Sequence, residues 1–207
     1  MLNVNFPKFK LLHKKGFNQI LYHSIKSYGE KEIDNLINNF LVKKNSFIFE
    51  SVEKGKVKGR YTIFGKDPDK IWEFSSNNSY YIKNNKRKKI KGSPKKIIEK
   101  IIEDFKFKIP KKLPPLSALL SGYFSYDIIR YIEKIPNTCK DDLNIPDARL
   151  IRPRTLVIHD NLEKKIYYIV NCFKDEKIKN YQNKYFEIKN EIENLIFLSN
   201  FKINNEL

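Results

Sequence analysis

Metal-binding and nucleophilic motifs are what this chain lacks most plainly. It holds two cysteines, Cys139 and Cys172, in 207 residues, and they make neither a CxxC pair nor a metal-ligand spacing. Its three histidines, His13, His23 and His159, are scattered outside any metal or catalytic motif, so each reads as a surface or strand residue. No carboxylate pair with a basic partner and no nucleophile beside a base can be picked out. The sequence therefore nominates no catalytic residue and no metal ligand. No apolar run approaches the roughly 20 residues of a membrane-spanning helix. The N-terminal MLNVNFPKFKLLHKK scatters charges where a signal peptide keeps a continuous apolar core. These absences predict a cytoplasmic chain without membrane contact, a compartment that disfavours a Cys139–Cys172 disulfide.

Charge is present in excess. The formal net charge is +17 from 41 Lys and Arg against 24 Asp and Glu, which raises the possibility of a nucleic-acid-binding module. Arginine occurs only at positions 60, 87, 130, 149, 152 and 154. The surplus is lysine, dispersed along the chain and densest in KNNKRKKIK at 83–91. Neither a recognition helix nor a stacking platform accompanies that run. It reads as a solvated hairpin edge, where lysine deters pairing between molecules, and nucleic acid is not expected as a partner.

Hydrophobic residues make up 41% of the chain and aromatics 14%, enough for a real core in one large or two small domains. A segment at 17–27 has mixed strand character. Ile33, Leu36, Ile37, Phe40 and Leu41 recur at helical spacing and predict a helix over 30–43. Short strands are expected at 70–74, 80–83 and 88–91. Ser93 and Pro94 open a helix whose stripe is Ile97, Ile98, Ile101, Ile102 and Phe105, ended before Pro110. KIPKKLPP follows as a stiff connector. Leu116 to Tyr126 is apolar enough for a buried central strand, with Gly122 allowing a close backbone approach. Residues 127–133 turn helical, which places Asp127 and Arg130 within pairing distance. A proline-punctuated loop covers 137–153. Residues 155–159 and 165–172 form a hairpin around Asp160-Asn161. A last helix spans about 175–198, with Ile178, Tyr181, Tyr185, Ile188, Ile192 and Leu195 in a regular seam.

The organising stretch is SFIFESVEKGKVKGRYTIFG at 46–65. It reads as a β-hairpin with Phe47, Phe49 and Ser51 on one face, a polar turn at Glu53, Lys54 and Gly55, and a return strand from Gly59. Glu50 and Ser51 end one strand and Arg60 begins its neighbour. Such a mouth offers acceptors for an ammonium and donors for a carboxylate, the needs of a zwitterionic amino acid. By spacing alone the favoured reading is an ordinary hairpin with polar ends.

FESVEKGKVKGRYTIFG resembles the ligand-binding hairpin near the start of anthranilate synthase component I, of the chorismate-utilising enzymes. SGYFSYDIIRYIEKIP at 121–136 and DDLNIPDARLIRPRTLVIHD at 141–160 resemble two further blocks of that family, in the same order. The resemblance implies an α+β fold of two packed, mostly antiparallel sheets in a sandwich flanked by helices. It implies that residues 1–207 are the regulatory, N-terminal portion, one wall of a tryptophan site, with the catalytic chorismate-binding domain absent. Ser51 is then the main tryptophan contact and Arg60 the cationic one, while Glu50 contacts the ammonium or holds the hairpin. The expected partners are L-tryptophan as inhibitor, the missing catalytic half and a glutamine amidotransferase, component II. Magnesium serves the complete enzyme through ligands outside this chain. The chain, whether a fragment or one half of a split gene, is expected to be catalytically silent alone. Aminodeoxychorismate synthase component I shares the architecture and is the nearest alternative. A stand-alone amino-acid-binding module is a third.

Overall fold

The computed structural model describes residues 2–41, 44–50, 59–76, 78–83, 85–136, 138 and 143–200. In chain order the elements are α1 (Phe6–Lys14), β1 (Gln19–Lys26), α2 (Glu30–Phe40), β2 (Phe47–Phe49), β3 (Tyr61–Ser75), β4 (Asn78–Lys83), β5 (Lys86–Ile90), α3 (Pro94–Asp104), β6 (Ser121–Phe124), a 3₁₀ helix (Tyr126–Tyr131), β7 (Ala148–Asp160), β8 (Lys165–Cys172) and α4 (Tyr181–Asn200). The fold is α+β, with antiparallel strands joined in one eight-stranded sheet of order β1-β8-β7-β3-β4-β5. β2 adds to β3 and β6 adds to β7 off that path. The α+β class and the mostly antiparallel pairing are as expected, and β3 and β7, at 15 and 13 residues, outrun an ordinary strand.

The chain forms two compact units, residues 1–67, 107–118 and 154–207, and residues 68–106 and 119–153. The first unit buries Leu21 of β1, Leu36 and Phe40 of α2, Phe64 of β3, Tyr168 of β8, and Ile188, Ile192 and Leu195 of α4. The helical spacing expected for α2, and that for α4 from Tyr181 onward, fills this core; α4 starts later than the expected 175, so Ile178 packs against the core from outside the helix. α1 is an element the sequence reading missed. Its signals are local: the Asn5 side chain accepts from the Lys8 N–H, and Pro7 stands in the first turn. Phe9 of α1 packs 5.7 Å from the Tyr185 ring. His13 is neither a surface nor a strand residue. It is buried on α1, with Tyr181 Oη at 3.1 Å and the Phe173 carbonyl at 3.2 Å. Asn35 and Asn39 of α2 donate to the Ser199 and Leu198 carbonyls, satisfying acceptors that the end of α4 leaves open.

The second unit buries Trp72, Phe74, Ile101, Ala148 and Leu150. Several expectations are corrected here. The strand expected from Lys70 is continuous with the hairpin's return strand, despite the positive φ of Asp67 and the proline after it. α3 begins where expected, but its Ser93 side chain makes no capping bond, and Ile102 faces out at 58% exposure. The apolar run at 116–126 yields only the short β6, with Tyr123 and Phe124 exposed. It adds to β7 off the main path, and of its four residues only Ser121 is buried. Gly122 does allow a close approach: a Cβ there would sit 1.9 Å from the Arg149 carbonyl oxygen. Residues 148–153, assigned to a loop for their proline, open β7 instead. The lysine-rich run supplies the exposed strand β5 at the end of the sheet path, as its composition predicts.

Candidate functional site

β2 and β3 pair as the sequence predicts, with Phe47 opposite Gly65, Ile48 opposite Phe64 and Phe49 opposite Ile63. β3 starts at Tyr61, so Gly59 and Arg60 form its entry, and Gly59 takes a φ of 79° there. An open cavity of 570 Å³ lies at this mouth. Phe49, Glu50, Arg60, Tyr61 and Ile63 line it from the hairpin. Pro115 and Leu116 line it from the connector after α3. Apolar walls with a carboxylate and a guanidinium suit a small ligand with one greasy end and one zwitterionic end. Of the three residues singled out, Glu50 and Arg60 are brought to this cavity, and Ser51 lies outside the described residues.

Arg60 is anchored. Its Nε donates to Asp160 Oδ1 at 3.0 Å and its Nη2 donates to Asp160 Oδ2 at 2.7 Å. The Asp160 side chain is 2% exposed and that of Arg60 is 33% exposed. Asp160 is itself held by its turn, because Oδ1 accepts the backbone N–H groups of Leu162 and Glu163. The next residue completes the clamp. Asn161 donates its backbone N–H to the Arg60 carbonyl at 2.8 Å and its side-chain amide to the Gly59 carbonyl at 3.2 Å. The guanidinium also lies 4.9 Å from the Tyr61 ring centroid, a cation–π distance.

The electrostatics follow from this geometry. The hydrogen bond to Asp160 raises the pKa of Arg60 further above its ordinary value. Burial pushes the Asp160 carboxyl up, but the bonds from Arg60 and the Glu163 backbone outweigh it, and the net shift is downward. Burial raises the Tyr61 hydroxyl, and the Asp160 charge adds to that. Asp160 and Asn161 were legible only as a turn dipeptide, since nothing in the sequence announces that this turn grips the hairpin's entry.

The remaining polar residues serve elsewhere. All six arginines meet a carboxylate: Arg60–Asp160, Arg87–Glu73, Arg130–Asp127, Arg149–Glu73, Arg152–Asp69 and Arg154–Glu176. Arg130 also donates to the carbonyls of Ile135 and Pro136, which fixes the turn after the 3₁₀ helix. In the same block Tyr131 Oη donates to Asp147 at 2.6 Å. Cys172 is a buried free thiol, pushed up to about 12 by burial. Cys139 lies outside the described residues. Among the described residues no three His, Cys, Asp or Glu side chains cluster as a metal site, and no helix is long and apolar enough to cross a membrane.

No family model matches the chain. Curated proteins do. It is 29% identical over 167 residues to anthranilate synthase component 1 of Cereibacter sphaeroides, covering 78% of this chain and 33% of that protein. It is 32% identical over 159 residues to the Acetivibrio thermocellus protein of the same name, covering 76% and 32%. The chloroplastic anthranilate synthase alpha subunit 2 of Arabidopsis thaliana is 28% identical over 207 residues, covering 92% and 33%. In fold, the crystal structure of anthranilate synthase component I from Streptococcus pneumoniae matches with a TM-score of 0.57 at 16% identity, covering 81% of this chain and 34% of that one. The chain spans about a third of the length of these relatives. In sequence and in fold, it is a relative of anthranilate synthase component I.

Proposed function

We propose that these 207 residues are the N-terminal, tryptophan-sensing portion of anthranilate synthase component I. The single observation that carries this reading is the hairpin-mouth cavity bearing Glu50 and Arg60, in a chain about a third as long as the relatives it matches. The bound ligand is L-tryptophan. Its indole lies against the apolar lining, and its charged end meets Arg60, Glu50 and Ser51. The whole enzyme is a lyase that converts chorismate and ammonia, or glutamine through an amidotransferase partner, to anthranilate and pyruvate in the cytoplasm. Magnesium belongs to the catalytic part. No ligand for it is assigned to these 207 residues. The 207 residues contribute regulation: tryptophan binds a less active state better and so shifts the enzyme towards it.

The test uses the chain assembled with its catalytic part, with anthranilate production followed by fluorescence against L-tryptophan concentration. Ser51→Ala and Arg60→Ala are each expected to weaken inhibition roughly tenfold or more, the effect of losing one buried or charged hydrogen bond. Turnover without tryptophan stays near that of the parent. The 207-residue chain alone is expected to form no anthranilate. If both variants lose turnover without tryptophan yet keep the parental inhibition curve, the regulatory reading is wrong.

A further inference from the structure

Asp160 fits none of the roles assigned so far, yet it makes the closest contacts to the one guanidinium at the cavity. Three facts define it. Its side chain is almost fully buried while Arg60 reaches the cavity. Both of its oxygens bind the Arg60 fork. The backbone of its own turn fixes its orientation from the far side. An arginine alone at a cavity rim attracts any anion. An arginine backed by a buried carboxylate has its net charge cancelled at short range, and keeps only its directional donors.

We propose that Asp160 is a specificity-determining residue. By holding and neutralising Arg60 from inside the β7–β8 turn, it makes the hairpin mouth select a zwitterionic amino acid over a simple carboxylate. Glu50 also lines the cavity, so among the described residues the charged groups at the mouth are Glu50 and the Arg60–Asp160 pair. A ligand that brings only a carboxylate adds uncompensated negative charge to that set. A ligand that brings an ammonium as well does not. The neutral pair still orients a ligand carboxylate by hydrogen bonding, while the charge balance rejects anions that lack the ammonium. Asp160 holds Arg60 and adds its own charge to that set, and need not touch the ligand.

This inference rests on the tryptophan-sensing reading, and the experiment separates the two. L-tryptophan and indole-3-propionate share the indole and the carboxylate and differ in the ammonium. Inhibition by each is measured in the assembled enzyme, for the parent and for Asp160→Asn, which keeps an acceptor for the turn N–H groups and removes the charge. The parent is expected to favour L-tryptophan. Asp160→Asn should narrow that preference by about tenfold or more, the order of a unit-charge interaction across a partly solvated site. In an Arg60→Gln background the Asp160 charge stands uncompensated, so the same change at Asp160 should narrow the preference by at least as much, whereas a role confined to holding Arg60 in place predicts no change there. If Asp160→Asn fails to fold, Asp160→Ser supplies a hydroxyl acceptor to the turn and carries the same expectation. An unchanged ligand preference in a folded Asp160 variant overturns this inference and leaves the tryptophan site standing. A parent enzyme that L-tryptophan does not inhibit overturns both.

Discussion

Arg60 and Asp160 stand 100 residues apart in sequence and form a two-pronged pair, with Nη2 to Oδ2 at 2.7 Å. The pair ties the entry of β3 to the β7–β8 turn and makes acid stability depend on one carboxyl. The Asp160 pKa is lowered in the folded protein, so the folded state gives up that proton more readily than the unfolded chain. Its contribution is complete above the unfolded carboxyl's value of about 4 and is lost as pH falls through the folded value below that. Urea unfolding of the parent and Asp160→Asn between pH 6 and 2.5 checks this. The stability gap between them should be widest above about pH 5 and should close towards pH 2.5. A gap that stays constant across the acid limb would show that the pair does not titrate as argued.

His159 precedes Asp160 on β7 and gives a second, separate pH window. It is buried, and its Nε2 lies 3.1 Å from Ser27 Oγ. Ser27 spends its hydroxyl proton on Glu32 Oε2 at 2.8 Å, so it must accept from His159, which fixes the Nε2–H tautomer. Burial lowers the His159 pKa, and the Lys164 charge adds to that, while Glu32 and Asp160 oppose it. The unfolded chain therefore binds this proton first as pH falls. Stability should drop from about pH 6.5 downward and flatten once the folded value is passed. In His159→Gln the slope between pH 7 and 5 should be shallower than in the parent by up to about 1.4 kcal/mol per pH unit, the limit for one proton.

Much of the first unit was legible because periodicity alone fixes which residues meet. The spacing of Leu36 and Phe40, and of Ile188, Ile192 and Leu195, marks one helical face each, and those faces fill the core. The β2–β3 pairing was legible from strand alternation, its turn lying outside the described residues, and the turn at Asp160-Asn161 was legible from turn chemistry. What the sequence hid were relations between distant segments. Asp160 looks like any turn residue until the fold brings Arg60 against it. Pro115 and Leu116 look like connector until they line the cavity. The run at 116–126 misled because apolarity does not guarantee burial: β6 leaves Tyr123 and Phe124 exposed. Pro153 misled in the opposite sense, since a strand accepts a proline where its missing N–H is not required.

Gly122 tests the backbone approach that positions β6. Its φ is 155°, its register partner is Leu150, and an added Cβ would meet the Arg149 carbonyl. Backbone cannot swing aside as a side chain can. Gly122→Ala should cost about 1–3 kcal/mol of stability, the range for a residue held in a sparsely populated conformation. Chemical denaturation reads this directly. A loss under a few tenths of a kcal/mol would mean that β6 shifts freely along β7.

Tyr168 and Ser199 allow a sharper test, because the two ends of one buried bond predict different losses. Tyr168 Oη and Ser199 Oγ lie 2.6 Å apart, and both residues are fully buried between β8 and α4. Ser199 also donates to the Ile196 carbonyl at 2.8 Å, so its one proton is used and Tyr168 must be the donor of the pair. Burial pushes the Tyr168 hydroxyl up to about 12, with the Ser199 bond acting against it, so it remains a protonated donor throughout the neutral range. Tyr168→Phe removes the donor and leaves Ser199 bonded to Ile196, which should cost about 1 kcal/mol, the net worth of one hydrogen bond. Ser199→Ala removes the acceptor and strands the tyrosine hydroxyl in an apolar core, which should cost about 1–3 kcal/mol. The double variant should then lose less than the two single losses combined, since the stranded hydroxyl is gone. Urea denaturation of the four proteins completes the cycle. Additive losses would show that the two oxygens do not interact, and a larger loss for Tyr168→Phe than for Ser199→Ala would reverse the assignment of donor and acceptor.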